Sequence, residues 1–165
     1  MDSLARGTQV GSQAFVAMWF HKELEPRFDE GIKPALRECG YSAYRVDRQA
    51  HANRIDDEII AQIRASRLMV ADFTGLRPNA FYEAGFAHGL GIPMIICCHQ
   101  DQDITIHGSH PWTGATAETT ARPWFAQVAE HAFDIRQYTM LSWKKPAELA
   151  VALENRIRAL KLNID

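Results

Sequence analysis

The chain lacks an excess of charge of either sign, a cysteine framework and any long apolar run. Its 165 residues include eighteen Lys and Arg against twenty Asp and Glu, a formal charge of −2. A nucleic-acid backbone or an anionic membrane would call for a basic excess, so neither is expected as a partner. The three cysteines, Cys39, Cys97 and Cys98, have no disulfide pattern and no zinc-type spacing, and read as reduced thiols in or near the core. The apolar run "PMIICC" at 93–98 is too short to span a bilayer. The first residues, "MDSLARGTQVGSQ", lack the apolar segment of a secretory signal, so residues 1–12 are expected to form a disordered lead-in to a cytoplasmic protein. Neither G-x-G-x-x-G nor G-x-x-x-x-G-K occurs, which leaves out the two common phosphate cradles. No internal repeat is visible.

What is present is an alternation of apolar strand-length runs with helical spacing. Strands are expected at 13–20, 41–47, 67–74, 93–100 and within 133–143. Helices are expected from about Glu25 to Gly40, at 54–66, from near Asn79 to Gly91, and at 146–162. Pro34 falls inside the first and should kink or split it. Continuous apolar strands alternating with helices imply an α/β fold with a mainly parallel five-stranded sheet covered on both faces, flavodoxin-like, in the order 2-1-3-4-5. A single domain is expected over 13–162. Residues 101–131 interrupt the rhythm and form a long loop of the kind used as a lid, a binding loop or an interface. Trp112 and Trp124 in that loop would either close over a ligand or bury against a neighbouring subunit.

In such a sheet the ligand crevice lies outside the carboxyl ends of strands 1 and 3, where the strand order reverses. Met18, Trp19, Phe20 and His21 leave strand 1, and Asp72 and Thr74 leave strand 3. The next helix, "RPNAFYEAGFAHGLG" at 77–91, is built from small and apolar residues around a single carboxylate, Glu83. Asn79 is a suitable N-cap, and Glu83 four residues on shares its face, close enough to the positive helix end to favour the ionised form. An ionised, oriented carboxylate suits attack on an anomeric carbon, whose transition state is oxocarbenium-like. Asp72 could hydrogen-bond sugar hydroxyls or relay a proton, and Trp19 and Phe20 offer flat faces to a heterocycle. Set against this, a Glu early in a helix and an Asp after a strand are both common as plain local structure. Asp56 and Asp57 read first as complements to a helix dipole, with Asp57 kept as a possible sugar or base contact. His99, His107 and His110 match no metal-ligand spacing, so no metal site is expected. His88 reads as core-edge or interfacial, Tyr82 as a packing residue, and Asp134 with Arg136 as a structural ion pair.

The run "FVAMWF" at 15–20 and the stretch "IDDEIIAQIRASRLMVADFTGLRPNAFYEAGFAHGLGIPMII" at 55–96 resemble the nucleoside 2-deoxyribosyltransferase-like superfamily. That superfamily is related to nucleotide N-glycosidases and shares its plan with TIR-type domains. The resemblance covers roughly residues 13–100 and is most specific at Asp72 and "NAFYEAGFA". It implies that Glu83 is the nucleophile of a covalent glycosyl-enzyme intermediate and that Asp72 contacts the sugar. It also implies a homo-oligomer whose sites a neighbour can complete. Two positions depart from the transferase pattern. Arg77 stands where an aspartate helps to protonate the base, and the strand-1 tyrosine is replaced by Trp19 and Phe20. An arginine is no general acid at neutral pH but suits a phosphate. The expected activity is therefore cleavage of the N-glycosidic bond of a small-molecule nucleoside or nucleotide, by hydrolysis or base transfer, with no cofactor. Arg77 and Asn79 would shape the entrance. The alternatives are a TIR-like nucleotide-sensing domain without turnover and an NAD glycohydrolase.

Overall fold

The computed structural model describes residues 12–48, 55–75, 77–100 and 139–162. Five strands form one sheet: β1 (Gln13–Ala17), β2 (Ser42–Tyr44), β3 (Leu68–Asp72), β4 (Met94–His99) and β5 (Leu141–Trp143). Every pairing is parallel, and the order is β2-β1-β3-β4-β5. The α/β architecture and strand order expected from the apolar rhythm are both observed. The register aligns the exits of the central strands, with Ala17 beside Ala71 and Asp72 beside Cys97. The switch of direction therefore falls between β1 and β3, as the sequence suggests.

Side chains alternate across this sheet, and each face has its own core. On one face Ala14, Val16, Leu68, Val70 and Cys97 pack against Phe28, Ile32 and Leu36 and against Leu149, Leu153 and Ile157. The first three of those helical residues belong to a turn of helix at Arg27–Ile32 and to α1 (Lys33–Glu38); the last three belong to α4 (Pro146–Ala159). On the other face Phe15, Met69, Ala71 and Phe73 meet Ile63 of α2 (Ile55–Ala65) and Ala80, Ala84 and Ala87 of α3 (Pro78–Gly89). The alanines bring α3 close to the sheet.

Several boundaries differ from the sequence expectation, each for a local reason. Strand β1 ends at Ala17, so Met18, Trp19 and Phe20 belong to the exit rather than to the strand. The helical run changes type just ahead of Pro34. The turn ahead of it, Arg27–Ile32, is a π-helix, in which the Lys33 amide bonds to the Phe28 carbonyl, and Pro34 falls in the first turn of α1. A proline near a helix start has no N–H to lose, and the wide turn makes room for its ring. Residues 1–11, the loop at 101–131 with Trp112, Trp124, His107 and His110, and the pair Asp134 and Arg136 lie outside the described residues. No helix among the described residues is long and apolar enough to cross a membrane.

Candidate active site

The exits of β1 and β3 and the start of α3 are tied by a short chain of contacts. Asp72, the last residue of β3, is fully buried. Its Oδ1 accepts the Thr74 amide at 2.8 Å and lies 3.3 Å from Nη1 of Arg27, which is equally buried. Nη2 of Arg27 donates to the Trp19 carbonyl at 2.9 Å. The Thr74 hydroxyl accepts the His99 amide at 2.9 Å, which adds β4 to the same chain. Oδ2 of Asp72 and Nε of Arg27 are buried without a hydrogen-bond partner.

Above this floor lies Trp19. Gly75 adopts φ +83°, and a Cβ there would come within 2.4 Å of Cε3 of the indole. Only glycine combines that backbone conformation with that close approach. The guanidinium of Arg77 rests 3.5 Å from the centroid of the Trp19 ring, a close cation–π contact. Burial lowers the Arg77 pKa, its Nε has no partner, and no carboxylate among the described residues pairs with it. Trp19 is thus less open than a free stacking face, because Gly75 and Arg77 already contact it. His21 lies beside it, with ring centroids 5.2 Å apart, and accepts the Glu23 amide.

Glu83 lies on the sheet-facing side of α3 among Ala80, Ala84 and Ala87, with only 5% of its surface exposed. It has no hydrogen bond or ion pair among the described residues. Desolvation pushes its pKa up to about 7. This corrects the expectation of a carboxylate held ionised by the helix dipole. The helix begins at Pro78, so Glu83 is its sixth residue, beyond the first turn where the dipole acts strongly. Asn79 is not the N-cap either. Arg77 holds that position without a side-chain cap bond, and Asn79 is exposed at the second helical residue. Pro78 shifted the start by occupying the first position, which its fixed φ suits.

Other candidates are placed elsewhere. Met18 is buried in the core, where its sulfur is 3.9 Å from Nη1 of Arg45. Phe20 is partly exposed and lies under Arg45, 5.2 Å from its ring centroid. Asp57 is exposed on α2. Two buried arginines were not legible as site residues. Arg27 gave no signal beyond its helix. Arg45 sits at the end of a strand-like run, yet it is buried, binds Asp47 through two bonds of 2.6 Å and reaches Glu25 at 2.9 Å. The thiols near the floor offer no rival nucleophile, since burial raises the pKa of Cys97 and pushes that of Cys98 up to about 12. Among the described residues no group of three or more His, Cys, Asp or Glu side chains could hold a metal ion.

The contacts tie Arg77 at the start of α3 to the exits of β1 and β3, and Glu83 is buried further along the same helix, on a sheet of the order 2-1-3-4-5. Among solved structures the chain is similar to the CMP N-glycosidase BcmB of Clostridium botulinum, with a TM-score of 0.56 and 14% identity over 87% of this chain and 98% of that one. It is also similar to a 2-deoxyribosyltransferase from Leishmania mexicana, at TM-score 0.46 and 17% identity over 73% and 98% of the two chains. The TIR domains of the activated Roq1 resistosome align at TM-score 0.44 and 14% identity over 89% and 84%. No family model and no curated protein matches the chain. The superposition on the CMP N-glycosidase agrees with the parallel α/β fold that the sequence implies.

Proposed function

We propose that the chain cleaves the N-glycosidic bond of a nucleoside or nucleotide, with Glu83 as nucleophile. The observation that carries this reading is Glu83 itself, a carboxylate buried on the sheet-facing side of α3 with no partner among the described residues. Burying an unpaired carboxylate is unfavourable, and such groups concentrate where chemistry needs them. In the proposed reaction an ionised Glu83 oxygen bonds to C1′ as the bond from C1′ to the base nitrogen breaks. The base leaves with that electron pair and takes a proton from solvent. Water then attacks C1′, displaces the carboxylate and gives up a proton, so that free sugar and free enzyme result. No cofactor enters this sequence.

Arg77 supports a phosphorylated substrate. A guanidinium over the Trp19 ring, with no carboxylate partner among the described residues, is suited to an anionic group such as a 5′-phosphate. An arginine at this position also cannot protonate a leaving base, which favours hydrolysis over base exchange. Asp72 supports the site differently from the first expectation. With its carboxylate fully buried against Arg27, it holds the crevice floor rather than reaching for a sugar hydroxyl.

The test is a chromatographic screen for released base. Wild type and Glu83→Ala are each incubated with nucleosides, nucleoside monophosphates and NAD. Release by wild type that is lost in the variant, best with a monophosphate, supports the proposal. No release from any of them, together with a nucleotide that raises the Tm of both proteins alike, overturns it in favour of a sensing domain.

A further inference from the structure

We propose that Arg27 is the positioning residue of the crevice, a fully buried clamp that fixes the β1 exit at Trp19 to the β3 exit at Asp72. The role in catalysis rests on the glycosidase reading, whereas the clamp itself does not. Arg27 is 1% exposed and extends from the π-helical turn at Arg27–Ile32 to two partners, one in the exit of β1 and one at the end of β3. It bonds the Trp19 carbonyl through Nη2 at 2.9 Å and approaches Asp72 Oδ1 through Nη1 at 3.3 Å. The same Oδ1 holds the Thr74 amide, and Thr74 in turn holds the His99 amide. One side chain therefore ties the carboxyl ends of β1, β3 and β4 together.

The consequences reach the reacting group through short steps. Trp19 contacts Gly75 and carries Arg77, and Arg77 is the N-cap of the helix that holds Glu83. If Trp19 moves, the rim cation and the start of α3 lose their support. A buried pair of this kind is weak as a source of stability, since well-packed apolar residues often serve as well or better. Its worth here is geometric. The planar fork of arginine meets two acceptors in fixed directions, which the single ammonium of lysine does not. A π-turn, common at functional sites, is the local device that starts the side chain from this place.

The test uses Arg27→Lys and the charge-neutral double variant Arg27→Met with Asp72→Asn. Amide hydrogen exchange is measured on each folded protein, and kcat and KM are measured on whichever nucleotide wild type cleaves. The expected result for Arg27→Lys is at least tenfold faster exchange at Leu24, whose amide bonds the His21 carbonyl beside the β1 exit, at Thr74, which Asp72 holds, and at buried Gly75, with β3 and β4 protected as in wild type. A fall in kcat/KM of at least tenfold is expected beside it. Unchanged exchange at those three amides overturns the proposal, and so does a uniform loss across all strands, which would mark Arg27 as part of general stability. If Arg27→Lys fails to fold, the double variant gives the same reading, because it removes both buried charges and leaves the exits untied. A wild type that cleaves no nucleoside or nucleotide would overturn the glycosidase reading, while the exchange pattern would still decide the clamp.

Discussion

Glu83 holds its proton more tightly when folded than when unfolded, because burial penalises the carboxylate and nothing nearby offsets that penalty. Its folded pKa of about 7 lies above the ordinary 4.5. Between those values the folded state binds more protons than the unfolded one, so stability falls as pH rises through the window. The contribution is fully present below about pH 4.5, is lost by the time pH has passed the folded value, and amounts to about 3 kcal/mol at most. Glu83→Gln, which cannot ionise, should therefore raise Tm relative to wild type at pH 8 and leave it nearly unchanged at pH 4.5. Thermal melts at the two pH values check this; an equal shift at both would show that the carboxylate is not desolvated. For the reaction the sign is opposite. In the proposed reaction the nucleophile is the ionised form, so kcat/KM should rise with pH through about 7 and level off above it. At this scale the identity of Glu83 was legible, as the one acid in a helix of alanine, glycine and phenylalanine. Its protonation was not, because that depends on burial and on where the helix starts, and Pro78 moved the start. Arg27 was not legible either, since nothing in its sequence neighbourhood separates a buried arginine from a solvated one.

At the scale of elements, the strand order followed from the alternation of apolar runs and helices, because each apolar run had to be covered on both faces. The switch point between β1 and β3 followed from that order. Caps and turns were harder to read, since they depend on single backbone angles. The π-turn ahead of α1 and the N-cap at Arg77 both replaced simpler expectations. The turn after β3 is the most sensitive of these joints. Gly75→Ala would place a methyl group 2.4 Å from the Trp19 ring at a φ of +83°. The expected loss is about 2–4 kcal/mol, from the left-handed backbone and from overpacking together. A urea titration measures it, and a loss below about 0.5 kcal/mol would mean that Trp19 moves aside freely. Because Trp19 supports Arg77, the same variant should bind anionic ligands more weakly than uncharged nucleosides.

Across the whole molecule, two cores on opposite faces of one sheet couple the site to the fold. The face covered by α4 carries no site side chain except the Arg27–Asp72 pair, yet it supports β3 from behind. Leu153 is fully buried there, and Leu153→Ala should cost about 2–5 kcal/mol while leaving the pH of half-maximal kcat/KM unchanged. A shift of that midpoint would show that the α4 face helps to set the Glu83 environment. Charge and composition gave no electrostatic case for a nucleic-acid or membrane partner at this scale, and they said nothing of which substrate the proposed site would accept, because a few side chains would decide that.

The most direct measurement is intact-mass and peptide mapping of wild type after incubation with 2′-fluoro-2′-deoxynucleoside monophosphates. A fluorine at C2′ destabilises the oxocarbenium-like transition state and slows both formation and hydrolysis of a glycosyl intermediate. A covalent route predicts an added fluorodeoxyribosyl phosphate on Glu83, with one equivalent of base released. Base release from an unmodified protein, or an adduct on any other residue, would contradict Glu83 as the nucleophile.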